Sequence, residues 1–278
     1  MKLLDGKLVQ NELMLELKEK LAMVDKKLKL VIIRVGDNDE VDVYVRQKIR
    51  KANELGIAIE VIKFDNNVIV DEVLEVIDKL NCDDMVDGIM IQLPFSNDLD
   101  SLKIRNSIDP LKDVDGLSFG NIGKLWQGGD CLVSCTALGI MELLDYYKIE
   151  MSGKSVVIVN RSDLVGKPLA GLFMGRDATV TVCHSKSCNL SEITKNADIL
   201  VTAVGISNFI TVDMVKDDAI VIDAGISYVD GRVVGDVDFD GVKDRVSYIT
   251  PVPGGVGPMT VIELMNNLYK AYLMRREK

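Results

Sequence analysis

The sequence has 278 residues, enough for two ordinary domains, and its 47% hydrophobic and 27% charged residues are typical of a globular protein. A formal net charge of −10 argues against binding to nucleic acid or to an anionic membrane surface. The apolar runs are far shorter than the roughly 20 residues of a spanning helix, and the N-terminal residues lack a signal-peptide pattern, so we expect a cytoplasmic protein.

The cysteines do not form a recognisable framework. Their number, five, is odd, which does not favour a set of disulfides in such a chain. Cys183, His184 and Cys188 lie close together, but no second cysteine pair accompanies them and His184 is the only histidine. We therefore assign no metal site.

The first half of the chain alternates between apolar strand patterns and amphipathic helix patterns. Near-continuous apolar strands separated by helices indicate parallel βαβ units. In chain order, the predicted elements are helix 10–24, strand 27–35, helix 40–55, strand 57–64, helix 68–80 and strand 87–94.

The second half alternates in the same way and predicts a second doubly wound α/β domain. Between the halves, residues 106–136 are rich in Asp, Gly and Ser and are interpreted as functional loops with a connection, and 137–149 as a bridging helix. The predicted strands are 155–159, 178–182, 198–203, 219–225 and 246–249. The predicted helices are 165–175, 189–196, 211–216 and 258–273.

The segment VVIVNRSDLVGKP (156–168) has the pattern of a strand, a loop and a helix that begins near Leu164. A dinucleotide fingerprint would place glycine at 160, 162 and 166, but here only Gly166 is present. Asn160 tolerates a left-handed backbone, and Ser162 is small and carries a hydroxyl. The N-terminal amides of the helix would suit a phosphate. A nucleotide loop and an ordinary turn both remain open from this pattern.

The residues after the next strand bear on which nucleotide would bind. NAD sites usually carry a carboxylate there for the ribose hydroxyls, but VCHSKS (182–187) contains none. Ser185, Lys186 and Arg161 offer hydroxyl and cationic donors to a 2′-phosphate instead. This favours NADP over NAD, although Lys186 alone is equally consistent with a solvated lysine.

Four polar residues of the first half are candidates for chemistry. Tyr44 and Lys48 are four apart on one helix face, which suits a stacking ring beside a tunable ammonium, or a surface lysine over a tyrosine. Gln92 lies at the carboxyl end of a predicted strand, where open parallel sheets bind ligands. Asp115 lies in an acidic turn, which is either turn chemistry or a carboxylate that grips a ring edge.

Taken together, these motifs resemble the bifunctional methylenetetrahydrofolate dehydrogenase/methenyltetrahydrofolate cyclohydrolase family along essentially the whole chain. The loop TPVPGGVGPMT (250–260), with three prolines and three glycines, also belongs to the resemblance. The matching segments, in family order, are YVRQK (44–48), DGIMIQLP (87–94), KDVDG (112–116), GKSVVIVNRSDLVGKP (153–168), ATVTVCHSK (178–186), NLSEITKNADI (189–199), VIDAGI (221–226), VGDVDF (234–239) and ITPVPGGVGPMT (249–260).

The resemblance implies two doubly wound α/β domains with a cleft between them, the second Rossmann-like. Residues 1–138, completed by a C-terminal helix over 258–278, would hold folate, and 139–257 would hold NADP. It implies NADP-dependent oxidation of methylenetetrahydrofolate, hydrolysis of the methenyl product to formyltetrahydrofolate, and a cytosolic homodimer. A single-activity relative is the main alternative, and a regulatory binding protein without turnover is a third.

The resemblance also implies residue roles. Tyr44 stacks on folate, Lys48 is the key cyclohydrolase residue, Gln92 positions and tunes Lys48, and Asp115 anchors the pterin. The folate site would further be lined by Leu93, Pro253, Gly254, Gly255, Val256 and Gly257. The cofactor would be bound by Asn160, Arg161, Ser162, Gly166, Ser185 and Ile226.

The sequence departs from the family pattern at two places. The family's cofactor loop usually begins with Gly-Arg-Ser, whereas Asn160 stands at the first position here. The stretch before the bridging helix commonly contains two prolines that 134–139, Ser-Cys-Thr-Ala-Leu-Gly, lacks.

Overall fold

The computed structural model describes residues 1–37, 39–95 and 98–276, with the backbone alone for 39–41. It divides the chain into two compact units. The three-stranded unit comprises Leu13–Cys135 and the residues from Val261 onward. The six-stranded unit comprises Met1–Glu12 and Thr136–Thr260. The sequence-based prediction places residues 1–12 in the N-terminal, folate-binding domain instead.

Both units are built from short strands and helices that alternate along the chain. The strands are β1 (Lys2–Leu3), β2 (Lys29–Val35), β3 (Ala58–Phe64), β4 (Gly88–Ile91), β5 (Ser155–Val159), β6 (Thr179–Cys183), β7 (Ile199–Thr202), β8 (Ile220–Asp223), β9 (Ser227–Val229), β10 (Arg232–Val234) and β11 (Tyr248–Ile249). The helices are α1 (Gly6–Ala22), α2 (Asp39–Glu54), α3 (Val70–Cys82), α4 (Ser101–Asn106), α5 (Phe119–Trp126), α6 (Cys135–Tyr146), α7 (Gly166–Met174), α8 (Leu190–Thr194), α9 (Phe239–Val242) and α10 (Val256–Arg276).

The three-stranded unit contains a parallel sheet of order β3-β2-β4. The central strand β2 is buried from Leu30 onward, which explains its unbroken apolar sequence. On one face the sheet packs against α3 through Val73 and Ile77, which recur at helical spacing and are fully buried. At Gly88 an added Cβ would lie 2.4 Å from the Val114 side chain, so glycine permits the segment that contains Val114 to pack closely against β4.

The six-stranded unit contains a parallel sheet of order β1-β11-β8-β7-β5-β6. Buried valines, leucines and isoleucines of the central strands form its core, for example Val157, Leu200 and Val221. The edge strand β1 pairs with β11, with Lys2 opposite Tyr248. This pairing is the reason that the first residues of the chain belong to this unit, and two residues are too few for a periodic signal.

The predicted two-domain α/β architecture with parallel sheets is confirmed. Some elements differ from the sequence predictions. The segment 106–136 contains the helix α5, whose start is capped by Ser118, and 211–216 forms only a 3₁₀ turn at Val212–Met214. The antiparallel pair β9–β10 was not predicted. Among the described residues, no helix has the length and apolar character that a bilayer span requires.

Candidate functional site

A buried lysine and a glutamine meet at the carboxyl end of the three-stranded sheet. Lys48, on α2, is 8% exposed, and its Nζ donates to Gln92 Oε1 at 2.8 Å and to Met90 Sδ at 3.4 Å. The Gln92 amide in turn donates to the Leu93 carbonyl at 2.9 Å, which fixes which atom of the side chain faces the lysine. Burial lowers the pKa of Lys48 below its usual range.

Asp115 and Cys135 complete this group. The Cys135 sulfur lies 3.4 Å from the Val114 carbonyl oxygen and 3.5 Å from Asp115 Oδ1, and its single hydrogen is shared between these two acceptors. Burial raises the pKa of Asp115, while the nearby Lys48 ammonium acts in the opposite sense. Burial also raises the pKa of the Cys135 thiol well above its usual value, which favours the protonated thiol over the thiolate. The structure thus brings Lys48, Gln92 and Asp115 together.

The other polar residues of the KDVDG segment hold the backbone. The Lys112 ammonium donates to the carbonyls of Leu80, Asn81 and Asp83 at 2.7–2.9 Å and so caps the end of α3. Asp113 accepts from the Ser118 amide at 2.7 Å at the start of α5. Asp115 is therefore left as the acidic residue of this segment beside Lys48.

Gly116 and Asn267 fix the segment from two sides. Gly116 has φ of +63°, and an added Cβ would lie 2.5–2.6 Å from the Val133 backbone. Asn267, buried on α10, donates to the Val114 carbonyl at 2.8 Å and the Val133 carbonyl at 2.7 Å. One side chain therefore ties together the backbone that precedes Asp115 and the backbone that precedes Ser134 and Cys135. Neither Cys135 nor Asn267 was among the residues predicted from sequence.

The remaining predicted folate residues are divided between the two units. Tyr44 is partly buried on α2, one helical turn before Lys48. Leu93, with Pro94 and Phe95, lines a depression of about 440 Å³. Pro253, Gly254, Gly255, Val256 and Gly257 belong to the six-stranded unit, and α10 begins at Val256, two residues before the predicted Pro258.

The loop after β5 is organised by Asn160. Its Oδ1 accepts from the Ser162 amide and hydroxyl, both at 2.7 Å, and from the Gly166 amide at 3.0 Å. Its Nδ2 donates to the Ala203 carbonyl at 2.5 Å, at the end of β7. At Gly166 an added Cβ would lie 2.1 Å from the Asn160 carbonyl oxygen, so glycine permits α7 to approach the loop.

The amides at the start of α7 are used by the loop itself. The helix begins at Gly166 rather than near Leu164, and the Gly166 amide is bound by Asn160. Ser162 accepts from the Val165 amide through its hydroxyl at 3.1 Å and from the Lys167 amide through its carbonyl at 3.1 Å. The expectation that these amides face a phosphate is therefore corrected, because loop oxygens already occupy them. Arg161 is exposed in this loop, and its contact with a phosphate stays a prediction.

Ser185 and Ile226 both lie at the carboxyl end of the six-stranded parallel sheet. Strands β6, β5, β7 and β8 are adjacent and parallel, so the residues after them emerge together at their carboxyl ends. Ser185 and Lys186 are exposed in the turn after β6, and Ile226 is exposed after β8. Across the described residues, no group of three or more His, Cys, Asp or Glu side chains is arranged to hold a metal.

Comparison with known proteins assigns the chain to a family. The model of the tetrahydrofolate dehydrogenase/cyclohydrolase catalytic domain matches residues 4–115, and that of the NAD(P)-binding domain of the same enzymes matches residues 134–276. The chain belongs to the tetrahydrofolate dehydrogenase/cyclohydrolase family. Lys48, Gln92 and Asp115 lie in the first matched range, and the Asn160 loop lies in the second.

Relatives within this family cover nearly the full chain. The bifunctional protein FolD of Lactobacillus helveticus is 47% identical, over 99% of this chain and 98% of its own. The crystal structure of FolD from Campylobacter jejuni has a TM-score of 0.96 at 42% identity and covers 99% of both chains. FolD from Trypanosoma brucei, solved with NADP cofactor and inhibitor, has a TM-score of 0.93 at 34% identity, covering 99% of this chain and 98% of that one.

Proposed function

We propose that the protein oxidises methylenetetrahydrofolate with NADP and hydrolyses the methenyl product to formyltetrahydrofolate. The observation that carries the proposal is the buried Lys48, held by Gln92 beside Asp115, in a chain that matches both domains of the family. Simple binding of folate does not require a buried lysine with a lowered pKa. The bifunctional assignment is therefore favoured over a single-activity relative and over a regulatory binding protein.

Hydrolysis needs a group that moves protons at the methenyl carbon. Because burial lowers its pKa, Lys48 is more readily neutral than an exposed lysine, and its Nζ can take a proton from the attacking water. The resulting ammonium returns a proton to the folate nitrogen as the carbon–nitrogen bond breaks, and one proton is released overall. Gln92 Oε1 aims Nζ and stabilises the ammonium form.

The partners of Lys48 bind the substrate. Burial raises the pKa of Asp115, which makes its carboxyl a strong acceptor and, when protonated, a donor towards the pterin edge. Tyr44, one turn from Lys48 on α2, would stack on the folate ring. Leu93 and the segment from Pro253 to Gly257 stay predictions for further folate contacts.

The oxidation step depends on orientation. A bound nicotinamide cofactor supplies the acceptor for the hydride that leaves the methylene carbon. The described residues fit such a group, since Arg161, Ser185 and Ile226 are exposed along one sheet edge beside a loop that Asn160 and Gly166 keep compact. Arg161 would hold a phosphate, and the backbone at Ile226 would fix the nicotinamide end.

We infer NADP as the preferred cofactor. The turn after β6 carries Ser185 and Lys186 in place of the carboxylate that NAD sites use for the ribose.

A homodimer in the cytoplasm is proposed on the family resemblance alone.

One assay tests both activities. The protein is mixed with methylenetetrahydrofolate and NADP, and NADPH and methenyl absorbance are followed with spontaneous hydrolysis subtracted. NADPH formation without lasting methenyl absorbance is expected. Absence of NADPH with either NADP or NAD would refute the dehydrogenase assignment.

Lys48→Met tests the assigned proton carrier. The variant keeps the side-chain length but has no ammonium, so enzymatic methenyl hydrolysis should fall to the spontaneous rate. NADP binding, measured by titration calorimetry, should be unchanged because the cofactor residues lie on the other sheet. Methenyl hydrolysis at the parent rate would contradict the role of Lys48.

A further inference from the structure

The loop after β7 is held by the carboxylate of Asp236, which is itself inaccessible to solvent. Asp236 is fully buried, yet both its oxygens accept hydrogen bonds. Oδ2 accepts from the Thr202 hydroxyl at 2.9 Å and the Val204 amide at 2.6 Å, and Oδ1 accepts from the Ile206 amide at 2.9 Å. Three donors on one five-residue stretch thus converge on a single side chain.

A second buried carboxylate fixes the first. Asp223, at the end of β8, accepts from the amides of Gly225 at 2.9 Å, Asp236 at 3.0 Å and Val237 at 2.8 Å. Added Cβ atoms at Gly225 and Gly235 would lie 2.1 Å from Asp236 Oδ1 and 2.0 Å from Asp223 Oδ2. The two glycines therefore leave the room that the carboxylates occupy, and the loops after β7 and β8 form one bonded unit.

These loops present apolar surface at the edge where the cofactor residues lie. Ile206 is 54% exposed and Ile226 is 43% exposed. An ideal Cβ on Gly205 would lie 3.6 Å from the Ile226 carbonyl oxygen, so the two loops touch. The Ala203 carbonyl at the start of the first loop accepts from Asn160. Asp236 therefore belongs to a network that joins the loops after β5, β7 and β8.

We propose that Asp236 is a positioning residue for the nicotinamide cofactor, acting through the backbone of residues 203–206 and 224–226. This inference rests on the proposed dehydrogenase function. Because Asp236 is fully buried, it acts without touching the cofactor. Asparagine cannot replace it, since one terminal atom would become an NH₂ that faces donors instead of accepting from them.

The test is Asp236→Asn, with Asp238→Asn as the matched control. Asp238 caps the short helix α9 by accepting from the Gly241 amide at 3.2 Å, and it binds neither loop. Loss of a hydrogen bond to a charged acceptor corresponds to about a tenfold change in affinity. In Asp236→Asn we expect the KM and dissociation constant for NADP to rise about tenfold or more, with cyclohydrolase turnover unchanged. Asp238→Asn should keep the parent values.

Thr202→Val provides a second variant that keeps the charge. It removes one of the three donors to Asp236 and conserves side-chain shape in a buried strand. We expect the dissociation constant for NADP to rise less than in Asp236→Asn, by about threefold, because the Val204 and Ile206 amides still bind Asp236. This variant decides the matter if Asp236→Asn does not fold.

The measurements distinguish failure of the proposed function from failure of the role assigned to Asp236. Parent turnover tests the proposed function, whereas the ratio of variant to parent dissociation constants tests the role of Asp236. Unchanged NADP affinity in every variant that folds would overturn the inference. A parallel fall of both activities at constant KM for NADP would also overturn it, because it would show loss of folded protein only.

Discussion

Asn267→Leu tests whether a residue on the last helix holds the predicted folate-binding residue Asp115 in place. The substitution keeps the approximate size of the side chain and removes its amide donors. In the parent, Asn267 donates to the Val114 and Val133 carbonyls at 2.8 and 2.7 Å in a buried setting. The variant leaves both carbonyls without these donors.

The expected loss in the free energy of unfolding depends on which donors the Val114 and Val133 carbonyls keep in the variant. The Val114 carbonyl keeps the Cys135 thiol as a donor at 3.4 Å, so its loss is that of one ordinary hydrogen bond, about 1 kcal/mol. The Val133 carbonyl loses a buried partner at a cost of about 1–3 kcal/mol. We therefore expect the free energy of unfolding to fall by about 2–4 kcal/mol. The KM for the methenyl substrate should also rise, because Val114 adjoins Asp115.

The assay is urea unfolding at neutral pH with cyclohydrolase kinetics on the same samples. Asn266→Leu is the matched control, since the Asn266 amide donates to Glu263 one turn earlier on the same helix, at 3.2 Å, and donates to no backbone carbonyl of the described residues. Its free energy of unfolding should change by less than about 1 kcal/mol. The reasoning fails if the two variants are equally stable, and the positioning role fails if Asn267→Leu binds folate as the parent does.

Two further predictions concern the six-stranded unit. Gly166→Ala should weaken NADP binding in calorimetry, because the new methyl would lie 2.1 Å from the Asn160 carbonyl oxygen. The control Gly175→Ala, whose new methyl would have its nearest contact at 3.4 Å, should bind NADP as the parent does. Equal NADP affinities of the two variants would contradict the packing argument. Burial raises the pKa of Asp223 to about 6 from 3.8. The folded state therefore holds this proton more tightly, and from about pH 4 to pH 6 the group should remove about 3 kcal/mol of stability as pH rises. The stability deficit of Asp223→Asn relative to the parent should shrink by that amount over this range in urea unfolding, and a constant deficit would contradict the assignment.

Sequence patterns were sufficient where a signal is local. The unbroken apolar strand β2 and the helical spacing of α3 predicted both elements, with ends that moved by two residues at most. The sequence predicts Gln92 at the carboxyl end of a parallel strand, where ligands bind, and β4 pairs with β2, the strand that leads into α2 and Lys48. The hydrogen bond between Lys48 and Gln92 itself is seen only in the structure.

Patterns were not sufficient where partners are distant in the chain. Asn267 lies more than 130 residues from the carbonyls that it binds, and no periodicity in α10 marks it as structural. No local pattern around Asp236 predicts its three donors, which come from residues 202–206. Asn160 stands where the family pattern has glycine, and its side-chain amide makes four hydrogen bonds that glycine cannot make.

The division of the chain limits how the protein can be dissected. The six-stranded unit needs Met1–Glu12 for its edge strand, and the three-stranded unit needs the chain from Val261 onward for Asn267. The polypeptide passes between the units three times, so a single cut cannot release either of them intact. An isolated cofactor-binding fragment would require a fusion that joins the opening segment to the later one. A C-terminal truncation would damage the unit encoded mostly by the first half of the gene.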